Sequence, residues 1–374
     1  MTITFVGAFN PITSDMPDSS SGAGAKVQYE IIKSLSADNV DVTTLVMQEY
    51  RTWPYGDFYI KGKKHGSIDF LPMINLFFSK KILFALSVFI RLLINNPEKV
   101  YFYNTNAFLN FFMFILGLIR RRQIKILIIQ DYNIPRRLCS RDFTRPNRVF
   151  SYYFSKLTKY SFQYFIPITK QLGDHLGFPY ERCHPFLGGV ISGYQGGEKR
   201  NCKNIAVFAG ALEPYNGVDY LLVAWSNLNT PIELHIFGSG SLAELVSSYS
   251  KNNSNIIFHG FQSPITVKNY IECASVNFCF RYSRGIEQEF FFPSKFFDVV
   301  SNRGIVICNR FINIPIELDE CIYFVDDEFS NLNLLIENAS ILPNFFDQRI
   351  KILSDYFSWT YLIKSINSVK GFSL

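Results

Sequence analysis

Short, continuous apolar runs recur along this chain, each followed by a polar turn and then by apolar residues at helical spacing. ITFVGAF (3–9) has no polar face, which predicts a strand buried on both sides of a sheet. A turn-rich loop (10–24) carries two prolines, several serines and glycines. After it, Val27, Ile31, Ile32 and Leu35 recur at the period of a helix over 25–35. DVTTLVM (41–47) predicts the next strand, completing a βαβ unit and hence a mostly parallel sheet. VYFYN (100–104), IKILIIQ (124–130) and YFIPIT (164–169) continue the alternation.

The segment 195–204, QGGEKRNCKN, is polar, charged and glycine-bearing, and reads as a linker. A second alternation follows, with strands expected at 204–210, 233–238, 256–260, 276–280 and 304–309. Helices are expected at 218–227 and 241–249. The fold class expected is α/β, with two doubly wound, Rossmann-like domains. Ligands of such sheets bind beyond the carboxyl ends of the strands, so a cleft between the two domains is the expected active site.

Two runs break the amphipathic pattern. ILFALSVFIRLLI (82–94) and AFLNFFMFILGLI (107–119) are apolar almost all round, but each falls short of the ~20 residues that span a bilayer. Lys80 and Lys81 precede the first, and Arg120, Arg121 and Arg122 follow the second. Seven further basic residues and only one acid lie within 134–160. Residues 1–190 hold 23 Lys and Arg against 13 Asp and Glu, a net of +10, whereas the remainder nets −4. Apolar helices beside basic clusters suit a protein lying on an anionic leaflet; two core helices with a solvated basic face fit the same pattern. Nucleic acid is not expected as a partner, because no RNP, KH or helix-turn-helix pattern accompanies the charge.

Composition narrows the class without naming it. With 374 residues and 48% hydrophobic content, two globular domains are expected. The seven cysteines contain no CxxC pair, which points to a reducing compartment, and the five histidines lack ligand spacing, so no metal site is expected. The N-terminus has no basic n-region, and no signal peptide is expected.

The densest chemistry lies in FCFRYSRGIEQEFFFPSKFFDVVSNRGIVI (278–307). An apolar run ends in Arg281, a loop carries Glu287 and Glu289, and Pro-Ser-Lys opens a helix-like segment bearing Asp298. Strand, charged loop, helix start and strand is an order that sets cations and backbone N–H groups where a phosphate docks.

Taken together, the motif order resembles the GT-B glycosyltransferases, most closely the family-4 retaining enzymes, over nearly the whole chain. SSSGAGAKVQYEIIKSL is similar to that family's glycine-rich loop and first helix, with Gly24 at the diphosphate-facing position. VFAGALEPYNGVDYLLVAW resembles the segment that usually reads Gly-Arg-Leu, three variable residues, Lys-Gly. Here Ala211 and Asn216 stand where the family's arginine and lysine fall. FFFPSKFFDVV occupies the place of the acidic donor motif.

The resemblance implies a nucleotide-diphosphate sugar as co-substrate, no other cofactor, and a glycan or lipid-pyrophosphate-linked acceptor in bacterial surface polysaccharide synthesis. Domains are expected at 1–194 (acceptor side), 195–346 (donor side) and 347–374, a helix crossing back. The protein is then expected on the cytoplasmic face of the cell membrane, as a peripheral enzyme. With both usual cations absent, Arg281 and Lys295 are the nearest replacements on the donor diphosphate; surface ion pairs with Glu287 or Glu289 are the alternative. Asp298 matches the ribose-binding carboxylate. Glu289, one position off the other family acid, is the candidate at the sugar hydroxyls. Gly238 lies at a strand-to-helix turn near the donor, and Phe261 and Gln262 fall where related enzymes hold the base. Asp131, after the third long strand, is a candidate for the acceptor hydroxyl or a loop-capping residue. Retention implies that the leaving phosphate itself takes the acceptor proton, and electrostatic stabilisation of the diphosphate becomes the main catalytic term. A catalytically silent GT-B subunit and a soluble sugar-nucleotide epimerase are the rival readings.

Overall fold

The computed structural model describes residues 2–10, 22–36, 40–77, 79–130, 153, 156–190, 203–284 and 287–368. The chain divides into two compact units, Met1–Leu187 with Trp359–Leu374, and Gly188–Ser358. The expected linker at 195–204 lies largely outside the described residues.

In the first unit the strands are β1 (Ile3–Ala8), β2 (Val42–Met47), β3 (Tyr59–Ile60), β4 (Lys63–His65), β5 (Ile68–Phe70), β6 (Met73–Ile74), β7 (Lys99–Tyr103), β8 (Ile124–Ile129) and β9 (Tyr164–Pro167). Seven of them form one sheet in the order β4-β5-β2-β1-β7-β8-β9, and β3 pairs with β6 separately. All ladders of the large sheet are parallel except β4 with β5. Burial on both faces explains the largely apolar runs of β1, β7 and β8, in the last of which even Lys125 is fully buried. The helix Gly22–Leu35 lays Ala25, Ile31, Ile32 and Leu35 into the same core as Trp359, Leu362, Ile363 and Ile366.

The two apolar runs are the helices Lys80–Asn95 and Ala107–Ile119. Asn106 caps the second, its side-chain oxygen accepting from the N–H groups of Phe108 and Leu109, each at 3.1 Å. Phe84, Val88 and Leu92, with Leu109, Met113 and Leu116, fill the core, while Leu83, Leu86, Ile90, Ile94, Leu118 and Ile119 stay exposed. These helices therefore serve the core with one face and keep an apolar outer face. Among the described residues no helix is long and apolar enough to cross a membrane.

The second unit holds β10 (Lys203–Ala209), β11 (Glu233–Phe237), β12 (Ile256–Phe258), β13 (Ala274–Cys279), β14 (Ile305–Asn309) and β15 (Tyr323–Val325), ordered β12-β11-β10-β13-β14-β15 and parallel throughout. Within each unit the succession is that of a dinucleotide-binding sheet, reversing direction once at its first strand. The segment expected as a single returning helix, 347–374, instead contains Phe346–Tyr356 and Trp359–Ser368. They are separated at Phe357 and Ser358, and Ser358 bridges Val190 as an isolated pair.

Arg349, on the first of these helices, is 0% exposed. Its guanidinium donates to five backbone carbonyls: Val300 at 2.8 Å, Gly304 at 3.0 Å, Cys321 at 3.5 Å, and those of Asn302 and Asn344. Burial pushes this guanidinium down to about 10, so it remains charged at neutral pH. The cation is neutralised by carbonyl dipoles, one of them at the end of the helix Lys295–Val300. Replacing it with leucine strands several buried acceptors, at ~1–3 kcal/mol each. Arg349→Leu is expected to lose at least about 3 kcal/mol in urea unfolding, and Arg349→Lys, with three donors instead of five, clearly less. A leucine variant within about 1 kcal/mol of the parent, inside the range of ordinary surface substitutions, would contradict this role.

Candidate functional site

The sheet of the second unit reverses between β10 and β13: chain connections leave β10 toward β11 on one side and β13 toward β14 on the other. Such a point leaves a crevice at the carboxyl ends of the two strands. A cavity of about 190 Å³ lies there. Its wall comes from the end of β10 with Gly210 and Ala211, from Tyr215 and Asn216, from Phe278 to Arg281, and from Pro293, Ser294 and Lys295.

Arg281 is held by its own backbone. Its N–H donates to Asn309 Oδ1 at 2.7 Å, and its carbonyl accepts from Asn309 Nδ2 at 2.8 Å and from Gln288 Nε2 at 3.2 Å. Asn309 thus extends the β13–β14 pairing by one side-chain pair. The guanidinium donates through Nη1 to Asn216 Oδ1 at 3.1 Å and stands 5.1 Å over the Tyr215 ring. Its Nε is buried with no hydrogen-bond partner among the described residues. Burial lowers its pKa, against the opposing pull of Cys279 and Tyr215.

Lys295 opens the helix Lys295–Val300 and lines the same cavity from the other side. A Cβ built on Gly210 would stand 3.9 Å from both Lys295 Nζ and Asn216 Nδ2, so these groups converge on the glycine. Burial lowers the pKa of Lys295, with Asp298 and then Cys279 acting the other way. The residue nonetheless keeps an exposed surface: its ammonium sits in a concavity that solvent, and so a ligand, can reach. Six residues make a short helix, so side-chain cations rather than a helix dipole carry the positive charge here.

Asn216 joins the two sides of this arrangement. It accepts from Arg281 and donates through Nδ2 to the Ala211 carbonyl at 2.8 Å. The positions occupied by alanine and asparagine are therefore one turn, and the asparagine turns Arg281 toward it. Among the described residues neither Arg281 nor Lys295 has a carboxylate at ion-pair distance; the nearby pair is Arg284 with Asp219, at 2.6 Å. The alternative of surface pairing with Glu287 or Glu289 is not what the geometry displays.

Gly238 explains why the neighbouring turn must be a glycine. Its φ is 144°, and a Cβ would fall 1.8 Å from the Gly210 carbonyl oxygen. Its N–H donates to Gly260 at 2.9 Å, while that of Gly210 donates to Phe237 at 2.9 Å. Three turns at the strand ends are thereby fastened together beside the cavity. Gln262 donates to the His259 carbonyl at 2.9 Å within the last of them, and Phe261 is exposed. His235 and His259 meet at 2.9 Å between ring nitrogens, with His259 stacked on Phe237. Burial, aided by His235, lowers the pKa of His259.

The remaining sequence candidates are dispersed. Asp298 is exposed one turn after Lys295, and Glu289 is exposed in the 3₁₀ turn Gln288–Phe290; neither lines the cavity. Gly24 belongs to the first unit, in the first turn of its helix, where its carbonyl accepts from Gln28 Nε2 at 3.3 Å. Asp131 lies outside the described residues. Sequence reasoning did not single out Tyr215, Asn309 or Gln288; the one local cue was a polar residue, Asn309, closing a buried apolar strand.

No protein-family model matches the chain, and no curated protein matches it in sequence. Solved structures do. A lipopolysaccharide outer core galactosyltransferase, WaaB, is 14% identical, with a TM-score of 0.61 over 98% of this chain and 99% of its own. HepE from Anabaena, in complex with UDP, is 12% identical, with a TM-score of 0.62 over 99% and 100%. A sucrose-phosphate synthase from Thermosynechococcus elongatus is 12% identical, with a TM-score of 0.62 over 97% of each chain. Similarity of this extent, spanning both units, shows that the chain has the GT-B fold of these glycosyltransferases.

Proposed function

We propose that the chain is a glycosyltransferase whose donor, a nucleotide-diphosphate sugar, places its diphosphate in the cavity between β10 and β13. The observation that carries this is that Arg281 and Lys295 line one small cavity, with no carboxylate at ion-pair distance from either among the described residues. Two part-desolvated cations facing one small cavity are stabilised by an anion, and a diphosphate supplies charge on adjacent phosphates. The fold supports the same class of donor, since HepE, which shares it, has been solved with UDP and with UDP-glucose.

In this proposal the bond from the sugar's anomeric carbon to the diphosphate breaks while the acceptor oxygen bonds to the same carbon. The acceptor proton passes to the departing phosphate, on the same face, which retains configuration. Arg281 and Lys295 stabilise the charge that develops on the leaving group. Asp298 takes the ribose hydroxyls, Glu289 the sugar hydroxyls, and the Gly238 and Phe261–Gln262 turns the base. Gly24 and Asp131 keep the roles that the resemblance implies, on the diphosphate and on the acceptor hydroxyl. The acceptor we propose is a lipid-pyrophosphate-linked glycan of a bacterial surface polysaccharide; the name of WaaB supports a surface glycan. No metal is required where the two cations carry the charge. The same Ala211 and Asn216 that move the cation to Arg281 favour one other reading, a subunit that binds no donor.

Calorimetry with UDP separates the two. Wild-type protein is expected to bind, and Arg281→Ala and Lys295→Ala are each expected to weaken binding at least tenfold, about 1.4 kcal/mol. Unchanged affinity in both variants would refute the diphosphate site, and no binding by the wild type would favour the silent subunit. Asn216→Ala is expected to raise the donor KM with a smaller change in kcat, because Arg281 loses its orienting acceptor; an equal fall in kcat alone would contradict that role.

The lowered pKa of Lys295 adds a pH dependence with a definite sign. The protonated amine binds the anion, so affinity falls as pH rises through a midpoint below that of an ordinary lysine. Binding then takes up protons in that range, which calorimetry in two buffers of different ionisation enthalpy detects. Lys295→Arg, always charged, is expected to abolish the dependence, and an identical profile in that variant would assign it elsewhere.

A further inference from the structure

We infer that the excursion at 51–77, together with the outer face of the helix Lys80–Asn95, is the surface by which this protein docks on an anionic bilayer. This places the membrane that would hold the lipid-linked acceptor proposed above, but it stands on separate residues.

The excursion lies between β2 and the helix and contains β3 to β6. Its backbone is fastened from within. Asn75, fully buried, donates through Nδ2 to the carbonyls of Arg51 at 2.7 Å and Asp57 at 2.9 Å. The N–H of Trp53 donates to Asn75 at 3.0 Å, and that of Asn75 to Phe58 at 2.7 Å. Lys80 anchors the far end by donating to the Tyr50 carbonyl at 3.1 Å. Yet this fastened segment turns its aromatic side chains outward: Trp53 is 52% exposed, Tyr55 85%, Phe58 52%, Tyr59 56% and Phe77 71%. An ordered backbone displaying five large rings to solvent keeps apolar surface that a monomer in water normally buries.

Three residues after Phe77 the helix begins, and its exposed Leu83, Leu86, Ile90 and Ile94 follow at spacings of three, four and four. The exposed cations of the same stretch, 51–95, are Arg51, Lys61, Lys63, Lys64, Lys81 and Arg91, against Asp57 and Asp69. Trp and Tyr rings favour the headgroup boundary, aliphatic side chains enter the acyl layer, and lysine and arginine meet anionic headgroups. A second copy of the chain would bring the same positive charge against this one, which disfavours self-association. Stacked bases would suit the rings and the cations, but the leucine and isoleucine stripe offers nothing to a phosphate backbone.

The tryptophans provide a native reporter. The chain has three, and Trp225 and Trp359 are 0% and 1% exposed, so only Trp53 meets solvent. Full-length protein is to be mixed with vesicles of phosphatidylcholine alone or with equimolar phosphatidylglycerol, some carrying brominated acyl chains. Expected are co-sedimentation with the anionic vesicles, a blue shift of the emission, quenching by the brominated chains, and release by high salt. Trp53→Phe should lose the quenching but still sediment. Tyr55→Ser/Phe77→Ser and Lys63→Glu/Lys64→Glu should each reduce vesicle-bound protein at least fivefold while binding UDP as the wild type does. That last arm keeps the two proposals apart, because loss of UDP binding in the wild type would fail the catalytic reading and leave docking intact. The inference is overturned by absence of sedimentation with anionic vesicles at low salt, by binding without quenching of Trp53, or by both double variants sedimenting like the parent. It is equally overturned if oligouridylate displaces the protein from vesicles through the same residues, or if the exposed rings mediate a dimer that the serine variant dissolves.

Discussion

The side-chain amide of Asn216 decides where the positive charge of the second unit stands. At 3.1 Å from Arg281 it accepts from a guanidinium with no carboxylate at ion-pair distance among the described residues, and through its other end it holds the Ala211 carbonyl. A neutral acceptor orients the cation without cancelling it. A carboxylate at that position would pair with Arg281 and leave the cavity far less attractive to an anion. The cost is a half-buried, incompletely satisfied guanidinium, whose depressed pKa and unpartnered Nε record it. Strain of this kind is tolerated where a ligand relieves it.

That arrangement depends on a frame built for close approach. Gly238 can lie against the Gly210 carbonyl only because it has no side chain, and the turn at Gly210 is in turn what Lys295 and Asn216 approach. Asn309 fixes the backbone of Arg281 from the neighbouring strand. Arg349 gathers the carbonyls at the far end of the helix that Lys295 opens. Two arginines of the second unit, Arg349 and Arg281, thus meet opposite fates. Arg349 is saturated by five carbonyls and is structural, whereas Arg281 retains unspent donors beside a cavity.

Much of the fold was legible because parallel strands buried on both faces leave mostly apolar runs, as in ITFVGA and VYFY. Elements whose burial is one-sided or brief were not. The strand Lys63–His65 is exposed and charged, and Tyr323–Val325 is three residues long, so neither leaves a pattern to read. The helix Pro264–Cys273 did carry a signal, Ser263 before a proline, with its hydroxyl accepting from Thr266 at 3.2 Å. The helices at 80–95 and 107–119 resisted a choice between core and surface because their inner and outer faces are both apolar. At the candidate site, motif order pointed to Arg281 and Lys295. Their setting was not readable, since Asn216 and Asn309 act from 65 and 28 residues away.

The central claim is that the β10–β13 cavity is a site for a diphosphate, held by charge. Its most direct test compares the affinities of UDP and of uridine for the intact protein over a range of salt. UDP is expected to bind at least a hundredfold more tightly at low salt, with the difference shrinking as salt rises. Equal affinities for the two, indifferent to salt, would show that the cations do not face a phosphate and would contradict the account.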